Sequence, residues 1–138
     1  MRKKVLPIGA MIAIVISGPA LGLDLPQMRN CAAAAAERGI AERAKTLATK
    51  KMLERLKDPD SARFGPSIYA RASCDEGAYE IVCGSVNARN SYGGYTGTGP
   101  WVYLADKDRY WILVDGDQSI TVVERLRDAL KVCAQTRP

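Results

Sequence analysis

The chain has no histidine, which removes the Ser-His-Asp and Cys-His nucleophile systems together with the commonest general base. Carboxylates are left for acid–base work, and Asp75, Glu76, Asp106, Asp108 and Asp115 all fall in turn-forming stretches, where a solvated carboxylate is the default. Asp115, Asp117 and Ser119 alternate like the first ligands of a calcium loop, but such a loop needs glycine sixth and glutamate twelfth. This chain has Ile120 and Leu126 there, so a turn followed by a helix cap is the simpler reading. Neither Gly-x-Gly-x-x-Gly nor a Walker pattern with its lysine is present. The sequence therefore assigns no catalytic residue, no metal and no cofactor, and favours a non-enzymatic protein.

Two other sets of residues carry chemistry. The four cysteines are Cys31, Cys74, Cys83 and Cys133. No two of them are separated by two to four residues, so with no histidine a zinc site fails, and a Cys-x-x-Cys redox pair is equally absent. An even number of cysteines behind an export signal reads as two disulfides. The second set is the stretch from Asn87 to Gly99. Gly93, Gly94, Gly97 and Gly99 permit tight reversals there, so that Tyr92 and Tyr95 can project beside Asn87 and Asn90. Aromatic faces stack while amides donate and accept, which suits contact with a glycan or peptide. The plainer reading is that these tyrosines cover an open end of the core and the asparagines satisfy loop backbone.

The elements that position these residues follow an export leader. Arg2, Lys3 and Lys4 precede an uncharged run from Val5 to Leu23, a basic n-region before an apolar h-region. Pro7, Gly9, Gly18 and Pro19 interrupt the run, and Ala20-Leu21-Gly22 offers small residues at a cleavage site, which argues for a signal peptide over residues 1–22 rather than a spanning anchor. Cleavage after Ala20 stays open, and the membrane is a partner only if the leader is retained. The remaining residues, 23–138, suffice for one domain. Three of the 20 basic residues belong to the leader, which leaves 17 against 15 acidic ones. The formal charge of +5 thus falls to +2, and nucleic acid is not indicated.

Asp24-Leu25-Pro26-Gln27 has the form of a capping box, so a helix is expected from there through the alanine run Ala32 to Ala36. Ala44, Ala48, Met52 and Leu56 recur at i+4 as its buried stripe, and Asp58-Pro59 ends it. Asp58 is then placed to cap a short turn that returns Phe64 to the core. From Ser67 the period changes to two, giving one hairpin about Asp75-Glu76-Gly77 and a second about Asp106 to Arg109. Trp111 to Val114 is apolar on both faces and reads as a central strand. Thr121 with Glu124 forms a second capping box ahead of a helix carrying Val122, Leu126, Ala129, Leu130 and Cys133 on one face. The expected fold is α+β: helix, four-stranded antiparallel sheet of two hairpins, helix, with both helices on one face of the sheet.

Pinning the two helices would join Cys31 to Cys133 and leave Cys74 with Cys83 inside the first hairpin. Geometry objects to the second pair, since a tight turn places these cysteines on the order of 13 Å apart along the strands, against the roughly 7 Å a disulfide allows. The helix-pinning set is slightly preferred, and the alternative, Cys31–Cys74 with Cys83–Cys133, stays open.

The segments Leu56-Lys57-Asp58-Pro59-Asp60-Ser61-Ala62-Arg63-Phe64 and Cys83-Gly84-Ser85-Val86-Asn87-Ala88-Arg89-Asn90-Ser91-Tyr92-Gly93-Gly94-Tyr95-Thr96-Gly97-Thr98-Gly99 together resemble a recurrent family of small uncharacterised bacterial proteins, many of them exported. The resemblance spans residues 56 to about 99 and implies a bacterial exported domain. It transfers no catalytic residue. The expectation from all of this is a periplasmic or secreted binding module that contacts an envelope protein or cell-wall component through Asn87, Asn90, Tyr92, Gly93, Gly94 and Tyr95. An inhibitor of a wall or secreted hydrolase, and a small histidine-free hydrolase or lyase, are the competing classes.

Overall fold

The computed structural model describes residues 25–89, 92–95, 97–112 and 120–137, with backbone alone for 120–122. The expected leader, Asn90 and the Asp115 to Ser119 turn lie outside the described residues. The fold is α+β, with two helices and one antiparallel sheet. In chain order the elements are β1 (Ala32–Ala34), α1 (Arg38–Leu53), a 3-10 turn (Pro59–Ser61), β2 (Arg63–Phe64), β3 (Ile68–Cys74), β4 (Gly77–Asn87), β5 (Gly99–Leu104), β6 (Arg109–Ile112) and α2 (Ile120–Ala134).

The sheet order is β1-β3-β4-β5-β6, and β2 pairs with β4 where β3 has not yet begun. Both expected hairpins form. Cys74 pairs with Gly77 across the two-residue turn Asp75-Glu76, and Leu104 pairs with Arg109 across the second turn. Gly77 sits at φ 142°, which glycine alone adopts at little cost. Between the pairs Phe64↔Val86 and Ile68↔Cys83, residues 65–67 lie opposite residues 84–85. β2 and β3 are thus one strand broken by a bulge. Pro66, which cannot donate to a ladder, sits inside it.

Three expectations need correction. First, the sheet has five strands in line plus short β2, not four, because the alanine run is strand rather than helix. Ala32, Ala33 and Ala34 pair with Ser73, Ala72 and Arg71. Alanine's helix propensity is worth only fractions of a kcal/mol per residue, and this segment is fixed by the Cys31–Cys74 disulfide and by Leu25 and Met28, which are buried in the core. Tertiary burial overrides the propensity, and α1 starts only at Arg38.

Second, the helices lie on opposite faces. Ala48 and Met52 of α1 pack with Tyr69, Val82, Val86, Trp101 and Tyr103. Leu126, Ala129, Val132 and Cys133 of α2 pack with Ala70, Ala72, Tyr79, Ile81, Cys83, Val102, Leu104 and Trp111. These two groups alternate along β3, β4 and β5, so each strand sends one parity to each helix. The sheet is the middle layer of three. For the same reason β6 is apolar on both faces yet lies at the end of the sheet among the described residues, with β4 in the middle; Leu113 and Val114 of the expected central strand lie outside the described residues.

Third, α2 as described already contains Thr121, which is therefore not an N-cap. Asp58 likewise makes no side-chain cap to the 3-10 turn; its carbonyl accepts the Ser61 hydroxyl at 2.7 Å. Phe64 does return to the core, edge-on to Trp101 with centroids 6.4 Å apart.

The disulfides are Cys31–Cys74 and Cys83–Cys133, the second of the two sets left open, in place of Cys31–Cys133 with Cys74–Cys83. Cys83 pairs with Ile68 and Cys74 with Gly77, so the two hairpin cysteines lie six residues apart along one ladder, on the order of 20 Å. Cys83–Cys133 bolts α2 to the central strand. The outer edge of β1 is covered by a side chain: Gln135, just past α2, accepts the Ala33 amide at 3.0 Å and donates to the Cys31 carbonyl at 3.1 Å.

Candidate functional site

β4 outlasts its partner β3, and its last residues run alongside β2 before the chain enters the glycine-rich loop. An isolated bridge between Arg89 and Tyr95 closes the loop's neck. Gly93 and Gly97 take φ of 80° and 97°, a backbone that a β-carbon disfavours. Tyr92, inside the neck and next to Gly93, is 96% exposed, with Gly93 and Gly94 exposed beside it.

The neck is tied to the 3-10 turn through one residue. The Ser61 hydroxyl accepts the Arg89 amide at 2.9 Å, and the Ser61 carbonyl accepts the Tyr95 hydroxyl at 3.2 Å. Arg63, two residues on, pairs with Asn87 in the ladder and places its guanidinium 5.0 Å from the Tyr95 ring centre. Arg89 places its own at 5.5 Å. Each such cation–π contact is worth about 0.5–1 kcal/mol at an exposed site, and together with the hydrogen bonds they set the loop on a firm base. The segments 56–64 and 83–99 thus meet in one knot, with Ser61 at its centre.

The residues expected to make contact therefore divide. Tyr92, Gly93 and Gly94 form the exposed tip. Tyr95, 39% exposed, spends its hydroxyl and part of its ring on the knot. Asn87 is half-buried, and its Oδ1 is shielded from solvent with no hydrogen-bond partner among the described residues, so that oxygen is not presented at the surface. Asn90 lies outside the described residues. Sequence reasoning missed Ser61, Arg63 and Arg89 as members of this end. They sit inside the two recognisable segments, but only the β2–β4 register joins them.

The remaining titratable groups make latches. Tyr103 donates to Asp108 Oδ1 at 2.8 Å, and Lys51 of α1 reaches Asp108 Oδ2 at 3.3 Å. Burial, then the bond to Asp108, pushes the Tyr103 hydroxyl up to about 12. The same bond, with Lys51, holds the Asp108 carboxyl below its ordinary value. Tyr69, raised chiefly by burial, donates to Glu80 at 2.9 Å. A carboxylate held ionised in this way makes a weak base, and a tyrosine held protonated a weak acid. The Asp108 pairs fasten α1 and the second hairpin turn to the sheet, and the Tyr69–Glu80 pair ties β3 to β4. Among the described residues no group of three or more Cys, Asp or Glu is placed to hold a metal ion.

Comparison with protein-family models, curated proteins and solved structures gives no match to this chain.

Proposed function

We propose that the chain is an exported, non-enzymatic binding module that contacts an envelope protein or cell-wall component through its Tyr92 loop. The observation that carries this reading is the contrast within the loop. Its neck is fastened by Ser61, Arg63 and Arg89, while Tyr92, a side chain that proteins ordinarily bury in good part, is 96% exposed at the tip. An aromatic side chain with only two torsions loses little conformational entropy on binding and supplies much of the contact area, as binding hot spots do. Arg63 and Arg89 give the same end positive charge and stacking faces, suited to a partner with carboxylates or sugar rings. The two disulfides fit an oxidising compartment and so support a periplasmic or secreted location.

Isolated cell-wall sacculi and envelope extract from the source bacterium, presented to the immobilised chain, test the reading. Tyr92→Ala is expected to abolish capture of whatever the unaltered chain retains, with an unchanged unfolding midpoint. Retention of the same species by Tyr92→Ala would remove the loop as the contact surface.

A further inference from the structure

On the α2 face, remote in chemistry from the tyrosine loop, a half-enclosed cleft of about 610 Å³ lies between the last turns of α2 and the sheet. Its walls include Ile68, Pro100, Leu130 and the Cys83–Cys133 disulfide, and they are almost wholly apolar. The cleft exists because the facing residues are small. β4 points only Ser85 at it beside Cys83, α2 ends in Ala134, and Pro66 of the bulge carries no side chain long enough to cross it. The volume falls within the roughly 300–1,000 Å³ of small-ligand sites, which combine apolar walls with a few polar groups. Here the polar groups are the Ser85 hydroxyl and Arg137.

Arg137 is the one charged residue among the described residues lining the cleft, and it is exposed. A helix C-terminus would ordinarily repel an anion. At this one the carbonyls of Val132, Cys133 and Ala134 accept the amides of Gln135, Thr136 and Arg137, and Thr136 Oγ1 also donates to the Cys133 carbonyl. With those carbonyls satisfied, the helix end opposes an anion less, and the charge that the described lining offers is the Arg137 guanidinium.

We infer that this cleft binds a free acyl-chain carboxylate, with its tail against Ile68, Leu130 and the disulfide and its head on Arg137. This is independent of the tyrosine loop. Tail burial makes affinity rise with chain length, by about fourfold for each added methylene. The salt bridge makes it depend on the sign of the head group.

Calorimetric titration of the purified oxidised chain with sodium octanoate and sodium decanoate below their micelle concentrations provides the test, with decyltrimethylammonium as a probe of the same tail and opposite charge. Decanoate is expected to bind saturably at one site, about 15-fold tighter than octanoate, and the cationic probe is expected to bind at least tenfold more weakly. Arg137→Glu should weaken decanoate by roughly tenfold and lessen the preference over the cationic probe. Ala134→Trp, at an exposed helix-end position, should fill the cleft and remove binding while the circular dichroism spectrum and unfolding midpoint hold. Tyr92→Ala should bind decanoate like the unaltered chain. Absence of saturable binding, equal affinity for both head groups, or binding that survives Ala134→Trp would each overturn the inference. If Ala134→Trp fails to fold, the head-group comparison and Arg137→Glu decide it.

Discussion

Replacing both cysteines of one disulfide with alanine should cost this domain about 4 kcal/mol. The bridges close segments separated by 43 and 50 residues, and chain-entropy loss in the unfolded state grows with the logarithm of that length, so each contributes about 4 kcal/mol at 25 °C. The segments 31–74 and 83–133 do not overlap, which makes the two contributions close to additive. Cys83 and Cys133 are also almost fully buried, whereas Cys31 and Cys74 are partly exposed. Cys83→Ala/Cys133→Ala should therefore lose about 1 kcal/mol more than Cys31→Ala/Cys74→Ala through lost packing. Losing both bridges would remove about 8 kcal/mol, against a typical domain stability of about 5–15 kcal/mol, and should leave the chain largely unfolded. Equilibrium urea unfolding of the two double variants and the unaltered chain measures these differences. A loss below about 1 kcal/mol for either pair, or a non-reducing peptide map that links Cys74 to Cys83, would refute the reasoning.

Gly84 pairs with Trp101, and a β-carbon at Gly84 would fall within 3.0 Å of three atoms of that fully buried indole. Gly84→Ala is accordingly expected to destabilise by about 1–3 kcal/mol through overpacking, read from the urea midpoint and the tryptophan emission. Ser61→Ala removes the acceptor of the Arg89 amide and should cost about 1 kcal/mol, with faster hydrogen exchange at Arg89 and reduced partner capture in the Tyr92 assay. Tyr103 keeps its proton up to about 12 in the folded state, against about 10 when unfolded. Its contribution is complete below pH 10 and is lost as pH rises toward 12, by at most about 3 kcal/mol. Tyr103→Phe should flatten that alkaline decline in urea midpoints, in part only, because Tyr69 and Tyr79 shift the same way. Asp108 acts in the opposite range: its lowered carboxyl supports the fold above its ordinary value and loses that effect as the medium is acidified through its folded-state value.

The hairpins, the Ala48 and Met52 stripe and the α2 face were legible because period and turn chemistry are local. The layer order is legible too, in the two parities of the strands. Along β5, Trp101 and Tyr103 are as apolar as Val102 and Leu104, which means that both faces must be covered. The first strand was hidden because three alanines carry no strand signal, and it forms only once a disulfide and the buried Leu25 hold it beside β3. The cysteine geometry contained the correct pairing, but a preference for pinning helix to helix outweighed it. Of the candidate site, the glycines and tyrosines were visible as a loop. Its base was not, because Ser61 and Arg63 reach Arg89 and Tyr95 only through a sheet register that crosses a bulge.

The Gln135 amide on the outer edge of β1 also bears on self-association. An unpaired strand edge is a template on which a second copy can add, and here one amide group occupies its hydrogen-bonding sites like a short extra strand. Gln135 stays in place only while α2 is seated, and α2 is bolted down by Cys83–Cys133. Reduction of that one bond would therefore loosen the seating of α2 and with it the cover over the alanine edge, tying the protection of that edge to the redox state of the core.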